Sequence, residues 1–435
     1  MKDFYDIAGY ENFVRESHKL MIDTLGEFFS AEVRLHFKPL SESQYYNVDI
    51  RVNPRRNVYH IDQNNVLLVC YVTNEADVYY LGILITAGHI GELKKIFNVT
   101  AMTISRSLNR CVPTRFRNAV IEMGDRLIVN LIGKYLSPWK YSYAKVVHLV
   151  DKFVLLRATT FEGKYFSTGL LLTKSLHDYK KEDDEGRGGE LLRLNKTTGY
   201  LSRIENRFWY LADGYRTIFV TDLKSDIDNM FVRTLSGMNH LEKMILYKTL
   251  RGGDALFRVE SGREVSVITS KGIEFINQEN CWRYRDYELL KKRILNTVTM
   301  DEETYNSLLY YVLFCSKNDV SSLIWIPKDL KKYKASLKST TINKLSRTNF
   351  KITNHAFSPL IKRMLSSDGA TVISGTGEVV AYGCMVEISK AKVSGLKGTG
   401  ETAAGQLAKN GVAIKVSQDG TIKVFLNGRD KAIKF

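Results

Sequence analysis

The sequence predicts an α/β protein in which strands and helices alternate over more than one domain. A chain of 435 residues has room for about two or three domains of roughly 150 residues each. Hydrophobic residues make up 44% of the chain, which is enough for packed cores. Runs rich in valine, isoleucine and tyrosine alternate with segments whose apolar residues recur at three- and four-residue steps. Strand and helix patterns therefore occur along the whole chain.

Residues 1–140 are predicted to form an α+β unit. Residues 8–36 begin with a helical stripe of apolar side chains: Leu20, Met21, Leu25, Phe28 and Phe29. Strands are predicted at Tyr46–Val52, Val66–Val72 and Val78–Thr86, where β-branched and aromatic residues are frequent. A second helix is predicted at residues 114–136.

Residues 141–315 are predicted to form a second α+β unit. Dense apolar patterns predict strands at Val146–Leu155, Tyr165–Leu172, Phe208–Leu211 and Thr217–Val220. Residues 180–189 are polar and rich in glycine, which is typical of an exposed loop. Helices are predicted at Tyr287–Leu295 and Thr304–Phe314.

Residues 316–435 are predicted to form a third unit. It contains a short buried strand, Leu323–Ile326, which ends at Pro327, and a helix at Phe357–Leu365. A second strand is predicted at Ala370–Ile373. The Asp419-Gly420 pair predicts a hairpin turn between Val412–Val416 and Thr421–Phe425.

Cysteine usage and hydropathy indicate a cytoplasmic protein. The five cysteines are far apart and form no Cys-x-x-Cys pair, which argues against a zinc site or a disulfide framework. This usage is typical of a reducing compartment. The first residues have no leader-peptide pattern. The most apolar run, Val78–Ala87, is too short to span a bilayer, so we expect no membrane span.

The net charge of +16 favours acidic partners such as nucleic acid, nucleotides or an anionic membrane surface. Lysine and arginine are concentrated between Lys328 and Arg363. This stretch has one aromatic residue near its start, Tyr333, and no interleaved stacking pattern of the kind that binds single strands. A solvated basic surface explains the charge equally well, so nucleic-acid binding remains an alternative.

An aspartate at a strand edge is the first candidate for a functional site. Asp368-Gly369 turns the chain from the helix that ends near Ser366 into the strand Ala370–Ile373. A carboxylate in this position can hold a divalent ion that bridges phosphates. Asp-Gly is also a common turn, as at Asp419-Gly420, so the pair by itself is compatible with a structural role.

A glycine-rich loop is the second candidate. Gly395, Gly398 and Gly400 lie among Lys390, Lys392 and Lys397, and Thr399 is placed to cap the helix that follows. A helix N-terminus beside glycines and lysines is suited to binding phosphate through backbone N–H groups. The loop is not a P-loop, and an ordinary loop before an ordinary helix is the alternative.

The two segments together resemble the diadenylate cyclase domain of the DisA_N type. The resemblance is carried by Asp368-Gly369-Ala370, Gly398-Thr399 and Val416-Ser417, and it covers about a quarter of the chain, from near residue 320 to residue 435. It implies a mixed sheet flanked by helices. It also implies that two ATP molecules are joined where two copies of the domain face each other. Gly262–Ile268 and Trp282–Tyr287 are similar to the sensor regions that precede such domains in bacterial signalling proteins.

The resemblance also implies roles for single residues. Asp368 would be catalytic and would work with Mg²⁺ or Mn²⁺. The nucleotide would be bound by these residues: Gly369, Ala370, Lys397, Gly398, Thr399, Gly400 and Thr402. The family has Arg-His-Arg directly after Gly-Thr, whereas this chain has Gly400-Glu401-Thr402. We therefore expect Glu401 to share the metal with Asp368.

The sequence thus predicts a sensor-controlled synthase that condenses two ATP into cyclic di-AMP or a related cyclic dinucleotide. Two other functions stay open. The first is a non-catalytic nucleotide-binding regulator on the same fold, because the basic motif is missing. The second is a basic nucleic-acid-binding protein.

Overall fold

The structure is a computed structural model, and it describes most of the chain in segments. These are residues 10–39, 44–45, 48–49, 58–61, 65–74, 77–86, 94–110, 124–137, 141–176, 179, 189–194, 206–222, 227, 229–233, 245–260, 262–278, 280–341, 343–344, 350–388, 398–426 and 432–435. The predicted loop at 180–188 and residues 114–123 of the predicted second helix lie outside these segments.

The described α-helices are α1 Tyr10–Phe29, α2 Lys94–Arg110, α3 Asp125–Leu136, α4 Tyr143–Arg157, α5 Asn206–Trp209, α6 Tyr287–Leu295, α7 Glu302–Lys317, α8 Ser358–Leu365 and α9 Thr399–Leu407. The strands up to residue 233 are β1 Glu32–Pro39, β2 Gln44–Tyr45, β3 Val48–Asp49, β4 Val58–Ile61, β5 Asn65–Asn74, β6 Asp77–Thr86, β7 Thr160–Phe161, β8 Lys164–Tyr165, β9 Thr168–Leu172, β10 Gly189–Arg193, β11 Thr217–Thr221 and β12 Asn229–Arg233. The later strands are β13 Ala255–Glu260, β14 Glu264–Thr269, β15 Ile273–Gln278, β16 Cys281–Asp286, β17 Ser322–Pro327, β18 Asn343–Lys344, β19 Ala370–Ile373, β20 Val379–Cys384, β21 Gly411–Val416, β22 Ile422–Leu426 and β23 Ile433–Lys434.

The chain divides into two compact units. The described residues up to 233, together with those in the range 250–285, form the first unit. The described residues in the ranges 245–249 and 286–435 belong to the second. The boundary predicted at residues 315 and 316 lies inside α7, which belongs to the second unit together with α6.

The first unit contains two large sheets. Four antiparallel strands form one of them, in the order β1-β6-β5-β4. Eight strands form the other, in the order β10-β12-β11-β9-β13-β14-β15-β16, with β9 and β11 parallel. The predictions for Val66–Val72, Val78–Thr86 and Thr217–Val220 are confirmed as β5, β6 and β11.

One hydrophobic cluster joins residues that the sequence analysis divided between two units. The ring centroids of Phe28 and Phe275 are 6.2 Å apart, and those of Tyr135 and Phe275 are 5.2 Å apart. The cluster runs from Met21 to Trp282. The structure therefore places both sides of the predicted boundary at residues 140 and 141 in one core.

Two strand predictions in this unit are wrong. Residues Val146–Leu155 lie in α4, whose buried side chains are Val146, Val147, Leu149, Val150, Phe153 and Leu156. These buried positions recur at helical steps, whereas the dense apolar run by itself is compatible with a strand as well. Phe208 and Trp209 lie in the single turn α5.

The second unit is a mixed seven-stranded sheet flanked by helices, as the sequence predicted. The strand order is β18-β20-β19-β17-β21-β22-β23, and β17 and β19 form its parallel pair. α9 packs on one face, where Ala404 and Leu407 contact the cluster that contains Trp325. Thr371, which follows Ala370 in β19, donates a hydrogen bond to the Met364 carbonyl of α8 (3.2 Å). Because neighbouring strand residues point to opposite faces, α8 covers the other face.

The local predictions in this unit are largely confirmed. The strand Ala370–Ile373 is β19, and the predicted helix at Phe357–Leu365 is α8. β21 and β22 form the predicted antiparallel hairpin, and Gly420 adopts φ +79° at its turn. No helix in the described segments of either unit is both long and apolar enough to cross a membrane.

Candidate functional site

A cavity of about 450 Å³ in the second unit brings the two predicted segments together. One wall is the turn from Ser366 to Gly369, and another is the start of α9 at Thr399, Gly400 and Ala403. The other lining residues are Ser321, Ser322, Leu323, Lys338, Cys384, Met385, Val386, Ile388 and Lys415. The cavity therefore has a carboxylate, two lysines and an apolar wall.

The turn that carries Asp368 requires glycine at position 369. Gly369 has φ +94°, and a Cβ there would lie 2.7 Å from the carbonyl carbon of Gly383 and 2.8 Å from the nitrogen of Cys384. The turn thus passes directly against the backbone of β20. Asp368 is exposed, and its Oδ1 accepts a hydrogen bond from the Gly369 backbone N–H (2.9 Å). In the described structure no cation forms an ion pair with this carboxylate.

The start of α9 differs in one respect from the prediction. Gly398 is the N-cap residue and no side chain caps the helix, so the prediction of Thr399 as the cap is wrong. Thr399 is the first helical residue instead. The backbone N–H of Glu401 donates to the Gly398 carbonyl (3.1 Å). The N–H groups of Thr399 and Gly400 have no acceptor within the helix, so they can donate to a ligand in the cavity.

The two residues after Gly400 do not line the cavity. The carboxylate of Glu401 forms an ion pair with the ammonium group of Lys423 in β22, and both side chains are mostly buried. The Thr402 hydroxyl donates to the Gly398 carbonyl within the helix (3.3 Å). Side chains at helix positions 401 and 402 therefore stabilise α9, and the prediction that they contact metal or nucleotide gains no support.

Ala370 is fully buried below the turn, in the hydrophobic cluster that supports α9. It supports the site and does not line the cavity. Lys397, together with Lys390, Lys392 and Gly395, lies outside the described residues. The described geometry of the site therefore does not include the predicted basic loop.

Lys415 is a cavity residue that the sequence analysis missed. Its Nζ donates to the Ser321 hydroxyl (2.7 Å), and Gly400 packs against its side chain. The sequence contained a signal, because Lys415 is the single charged residue in the otherwise apolar strand β21. It shares a sheet face with Ala413, two residues earlier, and Ala413 packs in the α9 cluster. That alternation directs Lys415 to the α9 face.

The environment of Lys415 changes its acidity. Burial lowers the pKa of the Lys415 ammonium group, while the negative charges of Asp368 and Glu401 act in the opposite direction. The ammonium group thus lies where both carboxylates act on it electrostatically. Neither of them forms an ion pair with it in the described structure, and its Nζ donates instead to the neutral Ser321 hydroxyl.

Binding of a divalent metal at this site would require phosphate oxygens of the substrate as additional ligands. Within the described segments, no group of three histidine, cysteine, aspartate or glutamate side chains could hold a metal ion. Asp368 supplies one carboxylate, and Glu401 is engaged by Lys423. Mg²⁺ is commonly bound by one or two carboxylates together with substrate phosphates and water. Asp368 fits such a shared site, whereas a site formed by Asp368 and Glu401 does not fit this arrangement.

Comparison with known proteins identifies no family for this chain. No family model and no curated protein matches it. Part of the chain is weakly similar to the crystal structure of a hypothetical membrane spanning protein from Bacillus cereus, with 17% identity over 34% of this chain and 69% of that chain and a TM-score of 0.27. It is also weakly similar to a double mutant of DacA, a diadenylate cyclase from Staphylococcus aureus, with 21% identity over 30% of this chain and 87% of that chain and a TM-score of 0.23. Both TM-scores are low, so neither likeness supports a functional assignment.

Proposed function

We propose that the cavity of the second unit binds ATP and that the protein condenses two ATP molecules into cyclic di-AMP or a related cyclic dinucleotide. The observation that carries the proposal is which two segments form the walls of the cavity. The Asp368-Gly369 turn and the first turn of α9 are far apart in sequence, and they form walls of the same 450 Å³ cavity. A carboxylate and open backbone N–H groups around one cavity are what a metal-bound phosphate chain requires.

The rest of the cavity suits a nucleoside. Its volume lies within the usual range of small-molecule sites, about 300–1,000 Å³. Leu323, Met385, Val386 and Ile388 supply apolar surface for a base, while Ser366 and Ser367 line the cavity beside Asp368. We therefore expect a purine and its phosphates to bind in this cavity together.

The reaction would be phosphoryl transfer without a protein nucleophile. The 3′-oxygen of each ATP attacks the α-phosphorus of the other, the bond from the α-phosphorus to the β-phosphate oxygen breaks, and pyrophosphate leaves. Each 3′-hydroxyl releases its proton to solvent. Mg²⁺ or Mn²⁺ bound to Asp368 and the phosphates would neutralise the charge that develops on the leaving group. The chain itself would contribute positioning of the substrate.

Cyclisation requires two bound nucleotides that face each other. We expect this cavity to hold one nucleotide, so a second copy of the chain would bring the other. We expect self-association with the two cavities facing each other, at least during turnover. The first unit would then regulate this step in response to a signal. We expect the protein in the cytoplasm, where ATP is present.

The test is to incubate the full chain with ATP and Mn²⁺ or Mg²⁺ and to identify products by mass spectrometry. We expect cyclic di-AMP, and we expect Asp368→Asn to abolish turnover while ATP binding largely survives. Glu387→Gln is the matched control, because this exposed carboxylate neighbours Val386 but does not line the cavity.

Other outcomes would select the other functions. ATP binding without any product, at all metal and nucleotide conditions, would favour the non-catalytic nucleotide-binding regulator. Absence of ATP binding, together with an affinity for DNA or RNA that falls steeply with salt, would favour the nucleic-acid-binding protein.

A further inference from the structure

Lys415 lies in a row of lysines that crosses the sheet of the second unit. It is directly opposite Lys423 of β22, which is itself opposite Lys434 of β23. Like charges directly opposite each other in an antiparallel pair are destabilising. Glu401 neutralises Lys423. Lys415 has no such partner, since no carboxylate of the described segments forms an ion pair with it.

Two neighbours hold Lys415 in the cavity. The Ser321 hydroxyl accepts a hydrogen bond from its Nζ (2.7 Å). A Cβ at Gly400 would lie 2.9 Å from Lys415 Cε, so glycine at this position leaves room for the lysine stem against the first turn of α9. The ammonium group is thereby placed beside the open N–H groups of that turn. Asp368 lines the same cavity.

We propose that Lys415 is the phosphate-binding cation of this cavity and that it makes the site select nucleoside polyphosphates over nucleosides. The inference rests on the proposed function, because it assumes that the cavity binds nucleotide. The ammonium group of Lys415 donates to a phosphate oxygen. The backbone N–H groups of Thr399 and Gly400 donate to the same phosphate chain. A bound polyphosphate supplies the ion-pair partner that Lys415 does not have in the described structure.

The experiment compares the binding of ATP, adenosine and inorganic tripolyphosphate to the full chain by calorimetry. Lys415→Met should weaken ATP and tripolyphosphate binding about 10- to 100-fold, the usual range for one charge-assisted hydrogen bond, and leave adenosine binding unchanged. Lys415→Arg should retain part of the preference for phosphate. Equal ATP affinity in Lys415→Met and the wild type would overturn the inference.

Two lysines serve as controls for general charge effects. Lys409→Met removes an exposed charge in the short 3₁₀ turn Ala408–Asn410 that follows α9, and it should not change ATP affinity. Lys338→Met removes the other lysine that lines the cavity. If Lys338→Met weakens ATP binding and Lys415→Met does not, the phosphate-binding role belongs to Lys338 and the inference about Lys415 is wrong.

A glycine variant tests the same geometry without removing a charge. Gly400→Ala should displace the lysine stem and weaken ATP binding, while Gly405→Ala in the same helix, where a Cβ meets nothing within 4 Å, should not. Thermal unfolding of each variant would show that it is folded.

The choice of ligands also separates the proposal about Lys415 from the proposed nucleotide function. Tripolyphosphate binding that requires Lys415, without any ATP binding, would refute the nucleotide function and retain the anion site. A wild-type chain that binds neither would overturn both.

Discussion

Glu401 in the first turn of α9 is paired with Lys423 in β22, across the edge of the candidate site. The pair engages the carboxylate that the sequence predicted to share a metal with Asp368. It also ties the start of the helix to the sheet beneath it. The position of the first turn of α9 therefore depends on an ion pair that does not itself face the cavity.

Glu401→Gln should lower the free energy of unfolding by about 0.5–1 kcal/mol, because it removes a partly screened ion pair and an acid from the N-terminal turn of a helix. Urea denaturation measures the effect. The Mn²⁺ concentration required for ATP binding should not change, in contrast with Asp368→Asn. A raised Mn²⁺ requirement in Glu401→Gln would restore Glu401 as a metal ligand.

Gly369→Ala should destabilise the second unit by about 2–4 kcal/mol, since alanine at φ +94° is strained and its Cβ would overlap the backbone of β20. Gly405→Ala is the opposite case. It lies in the helix interior with open space around it, so alanine should stabilise the protein by about 0.5–1 kcal/mol. Chemical denaturation of both variants checks the difference. Similar stabilities of the two variants would contradict the requirement for a positive φ at the Asp368 turn.

Asp301→Ala should lower the free energy of unfolding by about 1 kcal/mol, because the Asp301 carboxylate caps α7 by accepting a hydrogen bond from the Thr304 N–H (2.7 Å). Asp301→Asn keeps a hydrogen-bond acceptor at the same position, so its free energy of unfolding should decrease much less. The comparison of the two variants by urea denaturation separates the cap from the charge. Equal losses would show that the charge, and not the cap, stabilises α7.

His18 should make the first unit less stable as the pH falls. Burial lowers the pKa of the His18 imidazole to about 4. The unfolded chain, with an ordinary pKa near 6.5, binds a proton that the folded chain does not bind between these two values. Stability is therefore unaffected by this residue above about pH 6.5 and decreases as the pH falls towards about 4. His18→Leu should show a smaller decrease over this range in urea denaturation at a series of pH values. If the free energy of unfolding changed with pH equally in the variant and the wild type, His18 would not be the source of the pH dependence.

Local sequence patterns by themselves determined several parts of the second unit. Glycine and aspartate marked the turn before β19 and the turn between β21 and β22, because few other residues adopt these backbone conformations. Apolar spacing marked α8 and the strand β17. These features depend on neighbours within a few residues, so they can be predicted without the fold.

One apolar run that is compatible with both the strand period of 2 and the helix period of 3.6 led to a wrong prediction. The pattern from Val146 to Leu155 predicts a strand, whereas packing makes these residues part of the helix α4. Val146, Val150 and Phe153 then face one core. Tertiary contacts decide between helix and strand where a short apolar run is compatible with both.

The composition of the cavity was decided only by the tertiary structure. The sequence indicated Asp368 and Thr399 as candidates, but it could not show that Glu401 would be engaged by Lys423 or that Lys415 would lie beside Ser321. Those partners come from strand register, which pairs Lys415 with Leu323 on one side and with Lys423 on the other. Register is set by contacts between residues distant in sequence, because a shift by one residue would turn a strand's apolar side chains to the other face of the sheet. The sequence thus determined the turns and many of the elements, and the packing of the sheet against α9 decided which charged side chains reach the cavity.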